Sequence, residues 1–329
     1  MITKTIFKED KEELLKSKPQ LAHIEEGITD PDLKKIDEMF GVANLLSIEN
    51  CKKHRKNLKR FSWSVGLLVF LFLLYDEAEL HFLILFCLGI IIYMYYWYSK
   101  TREEKYHEKY LQYRVLSESI RIQYFLSIAC VKKTVQDLLP WFLKQGVPLI
   151  EEVLSDLPKI QMNEKKPIVN CWIKDQMEYH DEAHIRSMSH QEKDDFIRNI
   201  SKIVAIITYF AAFLFEVYMF FYSPHHITEI FGTIVWADTV RAALKIVLGT
   251  ALAGTLICEN YYGKMSLSRK IKEHLRMSEL YREKYIKIMT NKNKEEPDEL
   301  IETLSRECLI ENSTWYANQR KNDVEFSLG

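Results

Sequence analysis

The side chains with chemical potential fall in three places. In YHDEAHIRSMSH, His180 and His184 stand four apart, so a helix puts both imidazoles on one face, beside Asp181, Glu182 and His190. Two imidazoles so spaced can chelate Zn²⁺. The HExxH order is absent, however, and no third ligand is specified, so a solvated or packing face is the simpler reading. In LSESIRIQ, Glu118 and Arg121 lie three apart, the spacing of an ion pair that braces a helix. Alternatively, Arg114, Arg121, Lys132 and Lys133 bind an anionic ligand. The third place is apolar: Glu216, Arg241 and Lys245 interrupt long hydrophobic blocks.

Other chemistry is missing from the pattern. No Gly-rich phosphate loop, nucleophile elbow or kinase signature occurs, so the expectation is a protein that is not an enzyme and carries no resident cofactor. The six cysteines (51, 87, 130, 171, 258 and 308) show no CxxC spacing and read as free thiols. Basic and acidic side chains number 45 and 46, which argues against a nucleic-acid partner. Only 10 Gly and 8 Pro in 329 residues exclude collagen-like and Gly- or Pro-rich disordered chains.

The elements that must position these residues are set by four apolar blocks, which the mean hydropathy of −0.19 conceals. They run from about Leu58 to Tyr75, Ala78 to Tyr98, Ile200 to Tyr222 and Ala237 to Tyr261. A helix needs about 20 mostly apolar residues to cross the hydrocarbon core. The last three blocks meet that length. The first is short, but Lys59 and Arg60 at its edge can snorkel. CKKHRKNLKR before the first block holds six Lys and Arg, and Lys100, Arg102, Lys105 and Lys109 follow the second. Lys193, Arg198 and Lys202 lead into the third, and Lys264, Arg269, Lys270, Lys272 and Arg276 follow the fourth. The linkers YDEAEL and SPHHITEIFGTIVW contain no Lys or Arg, so both termini and the central segment are expected in the cytoplasm. Tyr93 to Tyr98 fits an interfacial aromatic belt. The first 40 residues lack a cleavable-signal pattern, and the first span is expected to act as its own insertion signal.

Within the spans, Glu216 lies six residues from the end of the third block, at a depth comparable to Arg241 and Lys245. A Glu216–Lys245 pair locking the second hairpin is one reading; a charged ring lining an ion path in an oligomer is another, and snorkelling a third. Gly249/Ala253 and Thr250/Gly254 are small-xxx-small pairs, compatible with close packing inside the chain or between subunits.

Between the spans the periodicity predicts helices. No Gly or Pro interrupts Ile91 to Leu139, so the second span should run on until Pro140. Tyr106, Tyr110, Tyr113, Leu116, Ile120, Tyr124, Ile128, Val131, Val135 and Leu138 would form one seam of a bundle. A short helix is expected near Leu149 to Leu157. Another starts near Ile168 with Trp172, Gln176, Tyr179 and Ala183 on one face. Met265 to Thr290, packing through Ile271, Leu275, Leu280, Tyr281 and Ile288, and Glu299 to Arg320 complete the set, with NKNKEEPDE as a loop. The fold class is therefore an all-α membrane protein of two transmembrane hairpins (58–98 and 200–261). Its cytoplasmic parts (1–57, 99–199 and 262–329) form a helical bundle continuous with the spans.

Several segments resemble a known family. ANLLSIENCKKHRKNLKRF before the first span, KYLQYRVLSESIRIQYF after the second, CWIKDQMEYH before the third and the tail ETLSRECLIENSTWYANQRKNDVEF are similar, in that order around two hairpins, to the bacterial SLATT-like (SMODS- and SLOG-associating) transmembrane effectors in their four-span version. The resemblance covers roughly residues 40–329. It implies an oligomeric effector of the bacterial inner membrane that opens pores in antiphage defence. It also implies a nucleotide second messenger as ligand, or a nucleotide-signal-producing enzyme or sensor protein as partner. The 40 polar N-terminal residues are too few for the family's fused sensor domain, so sensing falls to the helices or to a partner. On this reading Glu216, Arg241, Lys245, Gly249 and Gly254 are candidates for pore or gate, and Arg114, Glu118, Arg121, Trp172, Gln176 and Tyr179 for contact with the signal. The rivals are a non-conducting anchor or scaffold that recruits a cytoplasmic partner, and a transporter, against which the absence of broken spans counts.

Overall fold

A computed structural model describes residues 17–21, 30–78, 80–158, 160, 167–222, 231–265, 267–291 and 297–320. The tip of the linker after the third block, most of NKNKEEPDE and the end of the tail lie outside the described residues. Among those described there is no β-strand. The helices are α1 (Pro31–Glu77), α2 (Leu83–Glu104), α3 (Tyr106–Ile128), three short ones, α4 (Val135–Leu138), α5 (Trp141–Gly146) and α6 (Pro148–Ser155), then α7 (Asp175–Tyr222), α8 (Phe231–Met265), α9 (Leu267–Thr290) and α10 (Asp298–Arg320). A π-helical turn, Val169–Lys174, leads directly into α7.

The chain forms two compact units. The first combines Met1–His54, Lys105–Ile185 and Lys270–Gly329; the second combines Arg55–Glu104 and Arg186–Arg269. α1 and α7 contribute residues to both. Four helical stretches, Pro31–Glu77, Leu83–Ile128, Val169–Phe221 and Ala237–Glu259, are long and apolar enough to cross a membrane, and their most apolar windows are at most 11% buried within the chain. Apolar surface left exposed on that scale is the pattern of a multi-pass membrane protein.

Three helix boundaries here differ from expectation. α2 begins at Leu83 rather than Ala78, because Leu83 to Leu85 first bond as a turn to Leu80, His81 and Phe82. The run from the second block to Pro140 is also broken twice. Lys105 adopts φ 50° between α2 and α3, and Cys130 adopts φ 55° after α3, where the Val131 N–H donates to the Leu126 carbonyl. Neither residue is Gly, so composition gave no sign of a left-handed position. Beyond it the Asp137 carboxylate accepts from both the backbone N–H and the hydroxyl of Thr134, which starts α4. This Thr-x-x-Asp spacing is a helix-start signal in the sequence.

The core of the first unit is built around α3. The seam positions Tyr113, Leu116, Ile120, Tyr124 and Ile128 are buried, but so are Val115, Glu118, Ser119, Ile122 and Gln123 on the other faces. A helix buried all round is central rather than one edge of a seam. It packs against α10 through Tyr110–Trp315 (ring centroids 5.6 Å apart) and against the π-helical turn before α7 through Phe125–Trp172 (5.1 Å). Leu275 on α9, expected to pack, is 43% exposed. At the N-terminal side the buried Asp37 carboxylate accepts from the N–H groups of Gln20 and Leu21. Gly41 allows that segment's close approach, since a Cβ there would meet the Lys18 carbonyl.

Candidate functional site

The face of α3 that carries Arg114, Glu118 and Arg121 at i, i+4 and i+7 becomes the floor of a buried polar network. Glu118, 5% exposed, accepts from Arg114 Nη2 at 2.8 Å and from Arg121. The ion pair read from the sequence is thus present, and a second guanidinium shares the carboxylate. Lys133 is committed elsewhere, to Glu302 at 2.6 Å, so it does not join these arginines.

Three further helices supply the rest. Trp172 is fully buried; it stacks on Phe125 with planes 5° apart and meets Tyr281 edge-on. One turn along, Gln176 is buried and donates to Asp175. His180 Nδ1 lies 3.0 Å from His274 Nδ1 of α9, so one nitrogen donates to the other, and the His180 ring stacks on Tyr281. Tyr281 Oη and Cys308 Sγ of α10 are 3.2 Å apart. Arg121 Nε, Trp172 Nε1 and Gln176 Oε1 are buried without a hydrogen-bond partner among the described residues. Tyr179, 41% exposed, stands at the edge.

Both imidazoles of the zinc reading are engaged within the fold. His180 is paired with His274, while His184 Nδ1 donates to the Ile271 carbonyl and Asp181 accepts from Ser278 and Arg282. The two imidazoles fasten α7 to α9 at separate points. Among the described residues no group of three His, Cys, Asp or Glu side chains could hold a metal ion.

The electrostatics favour neutral partners around the arginines. Burial, then His274, Arg121 and Arg114, lower the His180 pKa to about 3. Burial pushes the Cys308 thiol up to about 12 and the Tyr281 hydroxyl well above its ordinary value, so Cys308 is held as an unreactive thiol. Burial, reinforced by Glu273 and Glu118, raises Glu311 to about 7. Two guanidiniums therefore share the Glu118 carboxylate, and nearby Glu311 is half protonated near neutrality. Two guanidiniums on one shared carboxylate suit the network to an anionic group.

A pH experiment separates the two shifted groups. Unfolded, a histidine takes up its proton near 6.5, whereas His180 in the fold does so near 3. Between those values the unfolded chain binds more protons, and stability falls as pH falls. Glu311 has the opposite sign: folded, it keeps its proton up to about 7, against 4.5 unfolded, so across that window acid stabilises it. From pH 4.5 to 6.5 the two oppose, and the chain should unfold at nearly constant temperature. Glu311→Gln should instead lose about 1 kcal/mol per pH unit on acidification through that window. Parallel melting curves for the two proteins would contradict this assignment.

In the second unit the charges pair differently from the sequence reading. Glu216 bonds to Arg241, not Lys245, through Nε at 2.7 Å and Nη2 at 3.0 Å, and Arg241 also reaches Asp238 at 3.2 Å. Lys245 bonds to Glu77 of α1 at 3.0 Å. Arginine's fork matches both carboxylate oxygens, which a lysine cannot do. Glu77 was missed because its acidic linker read only as a charge-poor turn in Lys and Arg. Gly249 packs inside the chain, where a Cβ would come 2.8 Å from Leu73 Cδ1; Gly254 faces open space. His274, Tyr281, Cys308 and Glu311 escaped notice as site residues because their partners lie on distant helices. The i, i+4, i+7 repeat of His274, Ser278 and Tyr281 was the available signal.

No protein family, curated protein or solved structure matches this chain.

Proposed function

We propose that the protein is a homo-oligomeric effector of a bacterial inner membrane that forms or gates a pore, with both termini and the first unit in the cytoplasm. The observation that carries this reading is the placement of two ion pairs, Glu216–Arg241 and Glu77–Lys245, on helices apolar enough to cross a bilayer. In the single chain Glu216 and Lys245 remain 55% and 62% exposed. A charge at membrane depth is costly against lipid and normally faces protein or water. Copies arranged around a water-filled axis supply both. Gly254, open in one chain, offers a close-packing position for a neighbouring helix.

The buried network of the first unit is the proposed receiver. An anionic signal, such as a nucleotide second messenger, or a partner that makes or senses one, engages Arg114 and Arg121 next to Glu118, Trp172, Gln176 and Tyr179. α7 carries Gln176 and Tyr179 near its start and Glu216 near its end. A ligand can open the pore only by binding the open state better than the closed one. The resemblance to SLATT-like effectors supports a role in antiphage defence. No catalytic step and no resident cofactor are needed.

Glu216→Gln tests the pore: ion preference or conductance should change, because a neutral side chain then replaces a charge at the path. Unchanged conduction with only lower stability would leave the pair a structural clamp. One observation favours a second reading. Each of these charges already has a partner within the chain, so no aqueous path is required to satisfy it. A non-conducting anchor would then recruit a soluble partner, which should co-purify in stoichiometric amount with no ion flux.

A further inference from the structure

The second unit holds another constellation, on the facing turns of α1 and α2. The Arg60 guanidinium lies over the Trp97 ring at 4.8 Å from its centroid, and Lys100 Nζ lies over the same ring at 5.7 Å. Asn57 donates to Thr101 beside them at 3.4 Å, and Tyr93 stacks on Trp97 from the apolar side at 6.1 Å. Two cations share one indole, and among the described residues neither has a carboxylate partner, although Glu103 and Glu104 follow on the next turn. The attraction of a ring for a cation does not remove the repulsion between two of them. The buried indole Nε1–H also lacks an acceptor among the described residues. An unsatisfied buried donor calls for an explanation.

The depth supplies one. Arg60 lies at the start of the first apolar block and Lys100 just past the end of the second, where a bilayer places its phosphates. We infer that Arg60, Trp97 and Lys100 form a binding site for the phosphate of an anionic phospholipid headgroup. A phosphodiester drawn between the two cations neutralises both and brings oxygens to the indole N–H, while Tyr93 and Trp97 lie along the upper acyl chain. A zwitterionic headgroup carries its own cation and gains less. The exposed Arg55, Lys56, Lys59 and Arg102 add a diffuse positive field, but among the described residues no ring positions them.

Native mass spectrometry of the full chain in detergent, titrated with phosphatidylglycerol or phosphatidylcholine of equal acyl chains, reads the site. The wild-type chain should retain phosphatidylglycerol selectively, and R60Q/K100Q should bind it roughly 25-fold more weakly, at about fivefold for each direct contact to the phosphate lost. K56Q/K59Q removes the same charge from the same end of the unit and should cost far less. Equal losses from the two double variants, or equal binding of the two lipids, would overturn the site. Displacement of the lipid by millimolar glycerophosphate would overturn the lipid as its source. Should R60Q/K100Q not fold, Trp97→Leu keeps both charges and removes the ring that positions them. It should weaken phosphatidylglycerol binding roughly fivefold, and unchanged affinity would contradict the proposal.

Discussion

Glu118→Ala should destabilise the protein by about 3–5 kcal/mol, the range for removing one partner of a buried ion pair. Among the described residues Glu118 is the only carboxylate that forms an ion pair with both Arg114 and Arg121, and Arg121 is 17% exposed. Without Glu118 its guanidinium stays in the core with no counter-charge, and its Nε already lacks a partner. The double change Glu118→Leu with Arg121→Met removes charge from both sides and should recover most of that loss, because paired apolar replacements avoid the desolvation cost. Denaturant unfolding of the purified chain in detergent measures both. A loss below about 1 kcal/mol for Glu118→Ala would mean that the arginines reach water more freely than their burial implies.

Trp172→Ala should be comparably severe, at about 3–5 kcal/mol for a large aromatic removed from a packed core. The side chain is fully buried between Phe125 and Tyr281, where its loss leaves a cavity between α3, α9 and the π-helical turn before α7. Trp172→Phe provides the contrast. It keeps a ring to stack on Phe125 and gives up an N–H that makes no bond among the described residues, so it should cost less than about 1.5 kcal/mol. A Phe variant as damaged as the Ala variant would reveal a partner for the indole nitrogen. Both substitutions lie far in sequence from Glu216, so their effect on ion flux, measured beside stability, also tests whether the network communicates with the apolar helices.

The apolar blocks were legible because twenty-residue hydrophobic runs have few alternative readings. The helical start near Ile168, at the π-helical turn that leads into α7, the short helix at Pro148–Ser155 and the last helix likewise follow from Pro punctuation and periodicity. The breaks at Lys105 and Cys130 were not legible. An ordinary L-residue adopts a left-handed conformation only when tertiary packing holds it there, and local propensity carries no trace of that. The central position of α3 was hidden for a similar reason. Ser119, Glu118 and Gln123 look like an exposed polar face until partners on three sides bury them. At the site, Arg114, Glu118 and Arg121 were visible from their spacing within one helix. His274, Tyr281, Cys308 and Glu311 became part of the same network only through pairing across α7, α9 and α10. The Glu216 partner was misread by one turn, since Arg241 and Lys245 share a face and spacing alone does not choose between them.

The most direct measurement is ion or dye leakage from liposomes carrying the purified full chain, alone and with a panel of cyclic oligonucleotides and NAD-derived nucleotides. Leakage that a ligand triggers, that Arg121→Met makes unresponsive and that Glu216→Gln alters in ion preference is the predicted result. Liposomes that stay sealed under every nucleotide, while the chain co-purifies with a stoichiometric soluble protein and still passes no ions with it, would contradict the pore and establish an anchor in its place.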